Sequence, residues 1–497
     1  MDSRRNRTVI VLALALAMVS LVSAQPQQQA PAPKAPGLST EAQVDRVFER
    51  WNRSDTPGCV VGIAVEGKPV LVKAYGMANL EYGIRLRPDT VFESGSVAKQ
   101  FTAAAIALLC QDGKLSLDDP VRKHVPELPD FGTPILIRHF LNHISGLRSQ
   151  WPLMGLSGRP TGRTAHTVDE ILELVSRMKE LNFKPGEEFL YNNTGYTLLG
   201  VVVARVSGKT FDAFCQERLF KPLGMARSQW RDDFTEIVPD RATAYGRRGN
   251  GTFFTNMSFT DVIGNGGLLT TVGDLLIWNE NLDNPRVGGR ALVDQLETRG
   301  RLNDGFENEY AQGLVVTTYK GLREISHGGS TAGYQTFLLR FPPERLSIAV
   351  LSNVSASGPA NLAHQVADIY LAGKIKEPAK PVAAAGAPLR MRESDGRSKP
   401  RLWEAVSAFS PTPTDLGAFA GTYYSEEIDT TYTLYVEDGK LKARFRPAQR
   451  FELRPVYADA FETEGDVLRF TRDSSGRVAG FQVYAVRVRH LRFIRTG

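Results

Sequence analysis

The stretch that most restricts this chain is Val91-Phe92-Glu93-Ser94-Gly95-Ser96-Val97-Ala98-Lys99-Gln100-Phe101-Thr102, which sets a serine and a lysine three residues apart where a helix should begin. The run from Phe101 to Cys110 is rich in Ala and Leu, has no Gly or Pro, and closes on Gln111-Asp112-Gly113. A helix with a glycine stop is expected there, with Ser96 in its first turn. Side chains at i and i+3 share a helix face, so the Lys99 amine comes within reach of the Ser96 hydroxyl. A serine hydroxyl is a poor nucleophile until a neighbour takes its proton, and the amino end of a helix favours the anion that then develops.

The same spacing recurs at Ser176 and Lys179, in an amphipathic run whose apolar stripe is Ile171, Leu172, Leu174, Val175, Met178 and Leu181. Both polar residues fall on the other side, so this copy reads as a solvated helix face. Ser96 is set apart by what accompanies it further along the chain.

At 497 residues there is room for two or three domains and a large core. The formal charge of +6 is small for the length and has no clustered basic run, which argues against nucleic acid as a partner. Arg4, Arg5 and Arg7 precede an apolar run from Val9 to Val22 and the small residues Ser23-Ala24, the pattern of an export signal too short to span a bilayer. Cleavage after residue 24 lowers the charge to +4, since three Arg and one Asp are lost. Arg7-Thr8 stand where the twin-arginine route wants apolar residues, so the general secretory route is favoured, and no cysteine follows Ala24 to carry a lipid. The expected location is periplasmic or secreted, with no stable membrane insertion after signal cleavage. Cys59, Cys110 and Cys215 each lie in an apolar segment and read as buried free thiols, although an oxidising compartment allows one bridge. No Cys-x-x-Cys pair suggests a metal, and no cofactor is expected.

Residues 25–39 are a Gln/Pro/Ala tether. Thr40 to Trp51 reads as a helix with Val44, Val47, Phe48 and Trp51 on one face, followed by a hairpin of Cys59 to Val65 and Val70 to Tyr75 around Glu66-Gly67-Lys68-Pro69. The segment from 96 to about 300 is mainly helical. Strand patterns return at Gly313 to Thr318, Gln335 to Arg340 and Ser347 to Asn353, before a helix from about Pro359 to Leu371. Early and late strands without alternating helices imply an α+β domain over 40–373, an antiparallel sheet flanked by helices with a helical subdomain between its halves. Residues 374–412 read as a linker. In 413–497, Tyr432, Leu434 and Val436 share a face, as do Leu441, Ala443 and Phe445 across Glu437-Asp438-Gly439-Lys440. Strand candidates at Val467 to Thr471 and Val478 to Val483, among roughly eight in this stretch, imply a small all-β barrel.

Two polar clusters stand out. Phe189-Leu190-Tyr191-Asn192-Asn193-Thr194-Gly195-Tyr196 precedes the apolar helix Thr197 to Val206, and in an extended loop Tyr191 and Asn193 point the same way. Ser326-His327-Gly328-Gly329-Ser330-Thr331-Ala332-Gly333 leads into a strand, where paired glycines let a substrate approach the backbone. His139 and His143 have the i, i+4 spacing of helical metal ligands, but Phe140 replaces the glutamate such a protease needs, and a structural role is favoured. No Gly-x-Ser-x-Gly elbow is present.

Ser96-x-x-Lys99, Tyr191-x-Asn193 and His327-x-Gly329, in this order, resemble the three motifs of the penicillin-recognising serine hydrolases, the family of class C β-lactamases, D-alanyl-D-alanine carboxypeptidases and D-aminopeptidases. Leu115 to Pro120, Ile137 to Leu147 and Gly266 to Thr270 resemble that family in register, and the likeness covers about residues 40 to 372. It implies Ser96 as the nucleophile of an acyl-enzyme, with Lys99 and Tyr191 sharing proton transfer. Asn193 would hold the substrate amide or Lys99. The backbone N–H groups of Ser96 and Ser330 would form the oxyanion hole, and His327 would contact Tyr191 or a substrate carboxylate. The third motif departs from the Lys-Thr-Gly of class C β-lactamases, and a histidine is mostly neutral at neutral pH. Residues from Leu416 through Gly421-Thr422-Tyr423 to Phe493 resemble the lipocalin-like domain of relatives that cleave D-amino-acid peptides. The resemblance implies a serine hydrolase acting on an amide or ester of a small-molecule or short peptide substrate, favouring D-amino-acid peptides or small esters. The alternatives are a β-lactamase or a slowly acylating penicillin-binding sensor.

Overall fold

Along Cys59–Val65 alternate side chains go to opposite faces of a sheet, and both faces are apolar: Val60 and Ala64 one way, Cys59, Val61 and Ile63 the other. A strand buried on both sides needs a layer above and below it. The computed structural model describes residues 38–160, 162, 164–376, 410–445, 449–463 and 465–497 and supplies both layers. The signal peptide assigned to 1–24, and nearly all of the 25–39 tether and the 374–412 linker, lie outside the described residues.

Six antiparallel strands form the central sheet in the order Val315–Tyr319, Leu322–Thr331, Tyr334–Phe341, Leu346–Ser352, Cys59–Val65, Lys68–Tyr75. The two ends of the domain thus meet at the pairing of Cys59–Val65 with Leu346–Ser352, and the helical subdomain lies between them in sequence. One face carries the helices Thr40–Phe48 and Pro359–Tyr370 through Val44, Phe48, Leu362 and Val366. The other receives the helix Val272–Asp283. Gly62 is small because a Cβ there would stand 3.0 Å from Val272 Cβ.

Three local expectations change. The helix from Thr40 ends at Phe48, whose φ of −101° and ψ of 3° turn the chain into a 3₁₀ turn at Glu49–Trp51. The second hairpin strand begins at Lys68 rather than Val70, because Glu66 and Gly67 (φ 51° and 73°) close a two-residue turn. Pro69 is tolerated because it lies on an edge strand at a bulge opposite Ile63 and Ala64. The His327 cluster leads into the strand Tyr334–Phe341, as expected, but its residues Ser326 to Thr331 already belong to a strand of their own. Leu322–Thr331 pairs through Leu322 to Ser326 with Val315–Tyr319 and through Ile325 to Thr331 with Tyr334–Phe341, and this second ladder carries Gly328 and Gly329 despite their poor strand propensity. All three cysteines are free, Cys59 and Cys215 buried and Cys110 half-buried. Among the described residues no helix is long and apolar enough to cross a membrane.

Eight antiparallel strands from Gly421–Ser425 to Val488–Arg495 close into a barrel, the first pairing with the last through Tyr423 and Arg495. Its Asp438-Gly439 turn has φ of 55° and 71°, the geometry that a two-residue Asp-Gly hairpin favours. Its interior is aromatic, with Phe481 and Phe493 stacked at 4.6 Å. The barrel docks on residues 147–189. Fully buried Arg148 pairs with Glu427, and its Nε donates to Arg489 O at 3.0 Å. Asn182 Oδ1 accepts from Arg489 N–H at 2.7 Å while its Nδ2 donates to Arg487 O at 3.3 Å.

Removing one partner of a buried ion pair leaves the other charge uncompensated. Glu427→Ala is therefore expected to lower stability by about 3 kcal/mol, seen as a fall in the urea midpoint, with Glu427→Gln costing less. An unchanged midpoint would show that Arg148 does not depend on this partner.

Candidate active site

Ser96, the expected nucleophile, sits where a strand becomes a helix. Phe92–Glu93 pairs with Leu268–Thr270, and the Ser94 N–H donates to Leu268 O at 2.8 Å. Gly95 at φ 53° then turns the chain into a 3₁₀ turn, Gly95–Ala98, ahead of the α-helix Lys99–Gln111. Ser96 thus lies in this tighter turn rather than in the first α-helical turn. The turn abuts the His327 strand at backbone contact: a Cβ on Gly95 would stand 2.6 Å from Ser330 N, and one on Gly329 would stand 2.0 Å from Ser94 O. Glycine at both positions lets Ser96 and Ser330 sit side by side.

Lys99 is fully buried, and its Nζ lies 3.1 Å from Ser96 Oγ, 2.8 Å from Asn193 Oδ1 and 2.6 Å from the Asn265 carbonyl oxygen. Its pKa is pushed well below 10.5, first by burial and second by the charge of Arg487. Among the described residues no carboxylate pairs with it. A neutral amine has two N–H donors and one lone pair. The two oxygens that can only accept, on Asn193 and Asn265, take the donors, which leaves the lone pair for the Ser96 hydroxyl.

Asn193 opens the helix Asn193–Ser207, capped by Asn192, whose side chain accepts from Gly195 N–H at 2.8 Å. Tyr191 presents its ring to Lys99, with Nζ 4.9 Å from the centroid, and Arg487 Cζ lies 4.7 Å from the same ring. His143 explains why the loop holds this shape. Its Nδ1 accepts from Asn192 N–H at 3.1 Å and its ring lies 4.2 Å from that of Tyr191. His139 Nδ1 accepts from Leu136 N–H at 3.2 Å, and burial pushes its pKa down to about 4. The i, i+4 histidines thus serve loop geometry.

His327 Nδ1 lies 2.7 Å from the Gly328 carbonyl, which only accepts, so that nitrogen carries the proton. In the neutral ring Nε2 then accepts from the Tyr310 hydroxyl at 3.0 Å. The ring is 6.3 Å from that of Tyr191, close but held by Tyr310. Ser176 and Lys179 are remote: Ser176 Oγ donates to Glu173 O at 2.8 Å and Lys179 pairs with Glu426 at 3.0 Å.

Four contributors escape the motif reading. Buried Glu93 takes Arg231 at 3.2 Å and Arg241 at 3.5 Å, and accepts from Thr331 Oγ1 at 3.4 Å, bracing the Ser96 turn against the strand of Ser330. Its place three residues before Ser96 was the available clue. Asn265 acts through its backbone carbonyl, Tyr310 through His327, and Arg487 arrives from the barrel, between its last two strands Val478–Ala485 and Val488–Arg495. Ser96, Asn193 and Ser330 line two clefts at once. One, of about 400 Å³, is lined also by Glu93, Trp151 and Ser258; the other, of about 770 Å³, by Tyr191, His327 and Arg487.

The beta-lactamase family profile matches residues 44–371. A D-aminopeptidase of Gluconobacter oxydans is 28% identical over 298 residues, 60% of this chain and 56% of that protein. The chain therefore spans little more than half of that relative's length. The octameric penicillin-binding protein homologue from Pyrococcus abyssi superposes with a TM-score of 0.60 at 24% identity, over 92% of this chain and 100% of the other. A D-stereospecific amidohydrolase from Streptomyces sp. gives a TM-score of 0.56 at 21% identity, over 67% and 98% of the two chains. Both likenesses are of fold.

A lowered Lys99 pKa has a consequence for stability. Below 10.5 the unfolded chain still holds the Lys99 proton that the folded chain releases at lower pH, so stability rises with pH through that window. Lys99→Met abolishes this slope. Its denaturation midpoint relative to wild type is expected to fall as the pH is raised from about 7 towards about 10; parallel profiles would mean that the folded protein keeps the Lys99 proton.

Proposed function

Because the chain belongs to the beta-lactamase family, we propose that it is an exported serine hydrolase that opens an amide or ester bond through an acyl-Ser96 intermediate. D-amino-acid-containing peptides or small esters are the favoured substrates. The observation that carries this reading is the Lys99 amine, buried, without a counter-charge, and 3.1 Å from Ser96 Oγ. The Lys99 lone pair takes the Ser96 proton as Oγ bonds to the substrate carbonyl carbon. The carbonyl oxygen becomes an oxyanion facing the N–H groups of Ser96 and Ser330, donors fixed before the charge appears. Collapse breaks the bond to the leaving nitrogen or oxygen, which receives the proton by way of Lys99 and Tyr191. Water then attacks the ester carbonyl, gives its proton to the same relay, and releases Ser96.

The Gluconobacter D-aminopeptidase supports the D-amino-acid preference. The Arg4 to Ala24 pattern supports export. A β-lactamase is the weaker reading, since the third motif carries His327 with both ring nitrogens already engaged. A slowly acylating sensor is separated from a hydrolase by whether the acyl-enzyme turns over.

A fluorophosphonate probe is expected to label wild type and not Ser96→Ala; equal labelling of both overturns the assignment. With D-amino-acid amides or short esters, Lys99→Ala and Tyr191→Phe are each expected to lose about 10²- to 10⁴-fold in kcat/KM. Near-wild-type turnover by Lys99→Ala would remove it from the proton relay.

A further inference from the structure

The barrel is packed at one end and hollow at the other. Phe419, Phe461, Phe470 and Phe481 fill the packed end, with neighbouring ring centroids 4.8 to 5.6 Å apart. Asp466, Leu468 and Phe470 alternate onto the inner face, and the first two line a cavity of about 740 Å³. Its far wall is the hydrolase helix Gln150–Leu156, through Pro152, Gly155 and Leu156. The hollow reflects a gap in the barrel seam. Gln449–Tyr457 pairs with Lys440–Phe445 through Gln449 to Leu453, but takes the three-residue strand Ala460–Glu462 only from Arg454 onwards. One edge of Gln449 to Leu453 is thus left without a strand among the described residues, and the cavity opens beside it.

The chemistry of the walls narrows the occupant. Leu156, Phe445, Phe451, Leu468 and Val483 offer no side-chain hydrogen bond. Tyr432 is stacked on Phe445 at 4.6 Å, and its hydroxyl already donates to Leu156 O at 2.9 Å. Such a lining holds water poorly and favours an apolar group. The charged residues of Gln449–Tyr457 stand on its outer face, alternating with Phe451 and Leu453; Glu452 pairs with Lys440 at 2.9 Å and Arg454 with Glu462 at 3.2 Å, and Arg450 is exposed. Asp466 is the charge on the inner face. Its carboxylate has neither an ion-pair nor a hydrogen-bond partner among the described residues, and burial alone raises its pKa from 3.8. A carboxylate drawn out of water beside the rings of Tyr432, Phe445 and Phe451 is short of a cation, which both the charge and the aromatic faces attract.

We propose that this cavity is a binding site for an ammonium ion that carries an apolar group, with the cation paired to Asp466 and the apolar part held against Leu156, Phe445, Phe451 and Val483. The cavity shares no lining residue with either cleft at Ser96, so the site stands whether or not Ser96 is a nucleophile.

The full chain is titrated by calorimetry with octylammonium, octanol and octanoate, which share a tail and differ in charge. Octylammonium is expected to bind about tenfold more tightly than octanol, with octanoate the weakest. Hexylammonium is expected to lose about fourfold for each methylene removed. Asp466→Asn is expected to bring octylammonium within about twofold of octanol while octanol binds as before. Gly155→Leu occupies the cavity itself, at a position where an added Cβ meets no atom within 4 Å, and is expected to weaken octylammonium and octanol together by about tenfold. Absence of octylammonium binding in wild type overturns the proposal without any variant, as does tighter binding of octanoate. An ammonium preference that survives in folded Asp466→Asn overturns the assignment of the cation to that carboxylate. Equal affinity for hexylammonium and octylammonium overturns the apolar part of the site, and octylammonium binding unchanged in folded Gly155→Leu places the ligand outside this cavity and overturns the proposal as a whole.

Discussion

A primary amine enclosed by protein with oxygen atoms on three sides and no counter-charge is the constraint from which the rest of the site follows. An ammonium there would lose its hydration for two neutral carbonyls and a hydroxyl, a poor exchange at low dielectric. The neutral form fits, and fits in one way, with its lone pair on Ser96. The partners come from distant segments, so each must be anchored to the same body. The loop that supplies the Asn265 carbonyl is tied to both helices of the site, by Asn265 Nδ2 on Thr197 Oγ1 at 2.6 Å and by Thr102 Oγ1 on Gly264 O at 2.7 Å. Thr197 belongs to the helix that begins with Asn193, and Thr102 to the helix that begins with Lys99. The oxygens around Lys99 are therefore held by the helices that begin with Lys99 and Asn193.

Much of this was legible in the sequence because it was written in local periodicity. The alternation of Cys59–Val65 and the Asp438-Gly439 turn specify strands and a hairpin whatever the rest of the chain does. Ser96 and Lys99 meet because helical pitch, 3₁₀ or α, brings i and i+3 together. What stayed hidden depends on partners far away in sequence. Leu322–Thr331 has two glycines and a polar run, and that run becomes a strand because it pairs with Tyr334–Phe341, the hairpin partner that follows it. Asn265 contributes a carbonyl, which every residue possesses, so its identity carried no sign of its role. Arg487 is one of many arginines until the barrel docks.

Docking of the barrel and assembly of the second motif share one stretch of backbone. Leu147 O accepts from the Asn192 side chain, while the Arg148 carbonyl takes Thr194 Oγ1 at 2.9 Å and Gln150 N–H donates to that hydroxyl at 2.7 Å. The same residues receive the barrel, through the Arg148 guanidinium and Ser149 N–H. One face of this strip sets the start of the Asn193 helix, and the other sets the turn that carries Arg487. The two domains are thus linked through the hydrogen bonds that position Tyr191 and Asn193.

Tyr191 is where this linkage meets the chemistry. Its ring faces Lys99 at 4.9 Å and Arg487 at 4.7 Å, and an aromatic face attracts a cation. With Lys99 neutral, the ring serves one cation, Arg487. In the proposed mechanism Lys99 takes the Ser96 proton, and a second positive charge then appears beside the same ring and near the first. Burial first, and then the repulsion between the two charges, leaves the Lys99 proton weakly held. A base that binds its proton too firmly would stall once Oγ had attacked, because the leaving nitrogen must be protonated before it departs. Arg487 works against that arrest, since its charge disfavours the ammonium.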